Sequence, residues 1–155
     1  IEDELDIFKD DLEISNKILE YGFKDIFYRN LLEEINKTYN FKCYTAAFIL
    51  IRKLFENFLI DILRKNFKAE RNLYLSEHNR NKYNDFSVLL RNLSEKKSEF
   101  HFTTTEINSI TDALKPYRLE ANAKTHSIVE FGKKEDLQKY KVQDTFNLLE
   151  RLWNN

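Results

Sequence analysis

Two glycines and one proline in 155 residues, a single cysteine and no methionine mark this chain first by what it lacks. So few turn-forming residues leave little material for the tight connections that an all-β fold needs at each strand end. Cys43 alone permits no disulfide within the chain. With three histidines, at 78, 101 and 126, in no recognisable ligand spacing, it also gives no metal cluster. No glycine-rich phosphate loop and no serine elbow occurs, so nucleotide hydrolysis of the P-loop type and serine-hydrolase chemistry are excluded. No apolar run approaches the length that spans a bilayer, and no stretch reads as a signal peptide. The expected setting is therefore cytoplasmic, with no membrane partner. Two glycosylation-type triplets, Asn36-Lys-Thr and Asn92-Leu-Ser, are then chance matches. The start at Ile1, without an initiator methionine, points to a fragment or a trimmed or processed protein.

What is present is Leu, Ile, Lys, Glu, Asn and Phe in long unbroken runs, the composition of an all-α chain. Its length suits one domain with a real core. Charge is uneven: residues 1–40 hold 11 acidic and 5 basic side chains, whereas residues 41–155 hold 15 acidic and 20 basic. A protein that coats nucleic acid is strongly basic throughout, and this one is not. A local RNA contact stays open, through the run Arg64-Lys65-Asn-Phe-Lys68-Ala-Glu-Arg71 or through Lys133, Lys134, Lys139 and Lys141.

Hydrophobic periodicity predicts a first helix over about 3–21, with Gly22 as its C-terminal cap, and a second over about 24–39. The segment 42–67 is apolar around nearly its whole circumference and is expected to be the central helix, with Ala46 and Ala47 admitting a close neighbour. Arg52 and Glu56 interrupt it at i, i+4. Either they pair with each other, or Glu56 turns toward basic groups further along the chain. Polar residues 69–84 read as a long loop, and about 85–97 as a helix. Thr103-Thr-Thr-Glu106 has the form of a capping box, opening a helix whose apolar stripe runs from Ile107 to Ile128. Pro116 either kinks that helix or opens a new one. Leu137, Tyr140, Phe146, Leu149 and Trp153 define a last helix after the break at Gly132.

Within this pattern Arg118-Leu-Glu-Ala-Asn122-Ala-Lys-Thr-His126 sets an arginine, an amide and an imidazole at i, i+4 and i+8. Each step drifts only about 40° around a helix, so the three form one polar stripe, flanked by the apolar Leu119 and Ala123. Arginine offers a permanently charged planar fork for phosphate oxygens, and histidine titrates near neutrality. Such a stripe suits phosphate binding and proton transfer; the plainer alternative is a ladder that joins two helices. In RNA cleavage, His126 would serve as general base or acid, Arg118 would stabilise charge on the phosphate, and Asn122 would orient either partner. Arg52 and Glu56 would support them from behind.

The order of Ala46-Ala-Phe-Ile-Leu-Ile-Arg52-Lys-Leu-Phe-Glu56, then Arg118-x3-Asn122-x3-His126-Ser127, then a final helix resembles the HEPN superfamily (higher eukaryotes and prokaryotes nucleotide-binding). It is most similar to a bacterial branch marked by Arg-x-x-Gly-Asn-x-x-x-His, with Ala121 standing here in place of the glycine. The likeness runs from about residue 24 to 154, which divides the chain into an acidic N-terminal helix, 1–22, and a HEPN-like domain, 23–155. The resemblance implies an all-α helical bundle of about five to six helices. It further implies a homodimer that brings the Arg and His motifs of two copies to one composite site. The implied activity is metal-independent endoribonuclease action on RNA, without cofactor, in a toxin or antiviral defence system; an antitoxin or other defence-system protein is then a partner. The alternative is a non-catalytic dimerisation or protein- or nucleotide-binding module. Seven residues lie between Arg118 and His126, more than nuclease members usually have.

Overall fold

The computed structural model describes residues 16–101, 103–127 and 129–154. Among the described residues six α-helices form a bundle: α1 (Ile26–Asn40), α2 (Tyr44–Asn66), α3 (Phe86–Glu95), α4 (Thr104–His126), α5 (Lys134–Lys139) and α6 (Val142–Asn154). Among the described residues the only β-type pairing is an isolated bridge between Leu75 and Tyr83. The all-α bundle expected from composition is therefore what forms.

The segment with the broadest apolar circumference is the centre of the bundle, for the reason its sequence suggests. Ala47, Phe48, Ile51, Leu54, Phe55, Phe58, Leu59, Ile62 and Leu63 are all buried, and α2 touches each of the other five helices. A helix apolar on every side gains most when neighbours cover it all round. Its first turn is approached most closely from the loop before α5. A Cβ on Gly132 would lie 2.9 Å from the Thr45 nitrogen and 3.0 Å from the Tyr44 carbonyl carbon. The Gly132 amide donates to Thr45 Oγ1 at 2.8 Å.

Several helix ends differ from expectation. Of the predicted first helix, residues 3–15 lie outside the described residues, and residues 16–21 are not helical. They run as a strap over α1 and α6, held by two side-chain amides that mimic peptide groups. Asn36 Oδ1 accepts from the amides of Ile18 and Leu19, and Asn36 Nδ2 donates to the Leu19 carbonyl. Gln143 does the same with both backbone groups of Glu20. Gly22 has no positive φ, so it is not a left-handed cap. The breaks between α1 and α2, and between α5 and α6, use Lys42 (φ 61°) and Lys141 (φ 46°) instead. The last expected helix is thus two helices.

At α4, Thr103 stands at the N-cap as expected, but its hydroxyl makes no capping hydrogen bond. Helix α4 continues through Pro116, settling the choice between one helix and two; Ile128 lies outside the described residues. Among the described residues no helix is long and apolar enough to cross a membrane.

Candidate functional site

Tyr117 sets the register of α4 on α2. Its ring stacks on Phe48 at 5.7 Å, meets the edges of Phe55 at 5.4 Å and Tyr140 at 5.3 Å, and its hydroxyl donates to the Phe48 carbonyl at 2.8 Å. Arg52 lies on α2 between those two phenylalanines, one turn past Phe48, and Arg118 follows Tyr117 on α4. The two arginines therefore sit level on facing helices. Burial holds the Tyr117 hydroxyl far above its ordinary pKa, nearby Tyr140 adds to the effect, and the Arg52 charge offsets part of it.

Both guanidiniums are unusual in the same way. Arg52 Nε and Arg118 Nε are shut off from water and have no hydrogen-bond partner. Neither side chain forms an ion pair among the described residues, although both are only half-buried. A buried donor left unpaired costs about 1–3 kcal/mol, more when charged. Each of the two donors is a point where an anion would be stabilised.

Glu56 lies one turn beyond Arg52. Burial raises its carboxyl pKa, the Arg52 charge pulls back in the other direction, and Asp85 at the start of α3 raises it further. Its charged neighbours are thus Arg52 and Asp85, and it makes no hydrogen bond or ion pair to Arg118 or His126. Even the Arg52–Glu56 spacing closes no ion pair within 4 Å among the described residues. The carboxylate tempers Arg52 without closing an ion pair with it.

Arg118 opens onto a groove of about 310 Å³ between α4 and α3, where Lys115, Arg91, Ser87 and the exposed Leu119 join it. Asn122, one turn on, is half-buried with no hydrogen-bond partner for its amide among the described residues. His126 is the last residue of α4, exposed and likewise without a partner. Eight residues at 1.5 Å each put it about 12 Å along the axis from Arg118. The stripe exists as a line of side chains, but within one chain it does not bring the imidazole and the guanidinium to one atom.

Side chains near the end of α4 are tied to the segment that follows. Lys124, only 10% exposed, faces Glu120 at 3.5 Å, Asp136 at 3.8 Å and Glu130 at 3.9 Å, and Tyr140 donates to Glu120 at 3.0 Å. Ser127 Oγ accepts from the amides of Val129 and Glu130. This cluster ties the end of α4 to α5. Only the i, i+4 spacing of Glu120 and Lys124 hinted at it in the sequence. Arg91 and Lys115 also went unmarked there, because each is one basic residue on an otherwise ordinary polar face.

The basic run at 64–71 is partly committed to the fold. Arg64 pairs with Asp61 at 2.7 Å, while Lys65 donates to the Trp153 carbonyl and lies over its ring at 4.7 Å. Lys139 lies over Tyr140 at 5.0 Å. The two glycosylation-type asparagines are both buried, Asn36 bonded to the strap and Asn92 donating to the Leu73 carbonyl at 2.8 Å. Among the described residues no three metal-ligating side chains come together. Compared with models of protein families, with curated proteins and with solved structures, the chain finds no match.

Proposed function

We propose that the chain is a HEPN-like RNA-binding domain that cleaves RNA without metal when two copies present their α4 stripes to each other. The unpaired guanidiniums of Arg52 and Arg118, level on α2 and α4, carry this reading. They call for an anion that the described residues do not supply. In the reaction His126 takes the proton of a ribose 2′-hydroxyl, and the 2′-oxygen attacks the adjacent phosphorus. The bond from phosphorus to the 5′-oxygen breaks, leaving a 2′,3′-cyclic phosphate; the departing 5′-oxygen takes a proton from water to become a hydroxyl, and the hydroxide so formed takes back the proton on His126. Arg118 holds the charge that builds on the phosphate oxygens, and Asn122 orients the ribose or the imidazole. Because His126 lies about 12 Å along the helix from its own Arg118, the arginine that serves it comes from the second copy.

A second reading, a binding and dimerisation module without catalysis, is favoured by one observation: no described residue orients His126. Incubation with single-stranded RNA in EDTA separates the two. Cleavage to cyclic-phosphate ends, slowed about 100-fold or more by His126→Ala, supports the nuclease. Equal cleavage by that variant refutes it, and RNA binding without cleavage leaves the module. Failure to bind RNA at all removes both RNA readings.

A further inference from the structure

A cleft of about 660 Å³ lies apart from the α4 stripe, between the loop at 72–85 and α3. Its loop wall is built rather than slack. The Leu75–Tyr83 bridge closes it, the Ser76 amide donates to the Lys82 carbonyl at 2.9 Å, and the Asn84 amide donates to the Tyr74 carbonyl at 2.8 Å. Asn84 Nδ2 donates to the Asn72 carbonyl at 2.9 Å, and the buried Asn92 of α3 holds the Leu73 carbonyl from beneath. All these bonds engage backbone or amide nitrogen. They leave the Asn84 carbonyl oxygen and the whole Asn72 side-chain amide without a partner among the described residues, both groups being on residues that line the cleft.

An aromatic ring and two cations complete the lining. Tyr83 is 49% exposed there, although its backbone is fixed by the bridge. Lys82 and Arg91 also line the cleft, and neither forms an ion pair among the described residues. Glu77, Asp85 and Glu95 stand in the same wall. Carboxylates repel a phosphate chain but accept hydrogen bonds from the amino groups of bases. A flat exposed ring, free amide edges and unpaired cations are what a single-stranded nucleic acid needs: stacking, edge contact and backbone charge. Arg91 and Glu95 line both this cleft and the groove that holds Arg118 and Lys115. The two spaces therefore share a wall, and Arg91 faces both.

We propose that the cleft is a second subsite for single-stranded RNA, in which a base stacks on Tyr83 against Asn72 and Asn84 while Arg91 takes the phosphate between it and the Arg118 groove. The proposal rests on the RNA reading given above and extends it to a strand that crosses α3. It requires an unpaired base, since a base inside a duplex cannot expose a face to Tyr83.

The test is fluorescence anisotropy with a fluorescein-labelled single-stranded RNA of mixed sequence, a duplex of the same sequence, and a series of salt concentrations. The subsite predicts that Tyr83→Ala weakens single-strand binding about tenfold, within the range known for one stacked base. Tyr83→Phe, which keeps the ring, stays within about twofold of the parent. Arg91→Gln lowers the slope of log affinity against log salt by about 1, and the duplex binds more weakly than the single strand. Should Tyr83→Ala bind like the parent while Arg118→Gln is weakened, the subsite falls and the α4 site stands. Loss in Tyr83→Ala with none in Arg118→Gln keeps the cleft and removes the α4 site. A parent chain that binds no RNA overturns both. If Tyr83→Ala proves misfolded by circular dichroism, Arg91→Gln decides, and an unchanged salt slope counts against the subsite.

Discussion

Replacing Asn36 by alanine should detach the strap at residues 16–24 from the bundle. The side chain is 5% exposed and makes three hydrogen bonds to backbone: from Ile18 N at 3.0 Å, from Leu19 N at 3.3 Å, and to the Leu19 carbonyl at 2.8 Å. Leu19 is fully buried, so water cannot replace the lost amide while the strap stays down. Two buried backbone groups left unpaired cost about 1–3 kcal/mol each. If the strap lifts instead, its peptide groups regain water and chain entropy, but burial of the Leu19 side chain, worth about 1.5–3 kcal/mol, is forfeited. The cheaper route sets the outcome, so a loss of at most about 1.5–3 kcal/mol is expected in urea denaturation, with amide exchange at Leu19 accelerated in the native state. Gln143→Ala removes a matching pair of bonds to Glu20, but these are exposed, and it should cost less than about 1 kcal/mol. Equal effects of the two substitutions, or a Leu19 amide still protected in Asn36→Ala, would show that burial of these bonds does not decide their worth.

Two further substitutions probe the site. Glu56 has a pKa raised by burial, so it favours the folded state while protonated, at and below its ordinary 4.5, and that contribution is lost as pH rises through the higher folded value. Glu56→Gln should therefore leave stability near that of the parent at pH 4 and raise it relative to the parent at pH 7, read as the difference in denaturation midpoint; a gain that shrinks with rising pH reverses the sign and refutes the argument. Gly132→Ala drives a methyl group against backbone atoms of Tyr44 and Thr45. The loop must withdraw from α2, and a loss of about 1–3 kcal/mol is expected in thermal unfolding, whereas an unchanged melting temperature would mean that the close approach is not required.

How much of this was legible in the sequence follows from where the information lies. The central helix could be read from its own residues, because an all-round apolar circumference admits only an interior place in a bundle. Start and end signals failed where they depend on partners elsewhere. Gly22 resembles a cap, yet the strap before it is fixed by Asn36 and Gln143, which lie 17 and 123 residues from their partners. Lys42 and Lys141 adopt left-handed conformations that carry no lysine signature, at a cost of about 1–2 kcal/mol that only the packing of adjoining helices offsets. Asn36 and Asn92, which the sequence shows only as chance glycosylation-type triplets, are interior fasteners in the fold.

The candidate site divides along the same line. A periodic stripe is a local property, so Arg118, Asn122 and His126 could be aligned from sequence alone. Their depth is a property of neighbours. Arg118 is drawn half inside by α3 and by the Tyr117 anchor, whereas His126 is left at the open end of the helix, where the chain turns toward α5. That gradient separates two tasks that the motif presents as one. The buried end holds a guanidinium whose Nε has no partner among the described residues; the exposed end holds an imidazole open to another surface. On the proposed reading, a single copy therefore holds the phosphate contact and half of the reaction. If the reaction exists, mixing His126→Ala with Arg118→Ala chains should restore part of the cleavage that each has lost, because the mixed pair contains one intact composite site. No recovery on mixing, in a pair shown by light scattering to associate, would place both groups in one chain and contradict the 12 Å argument.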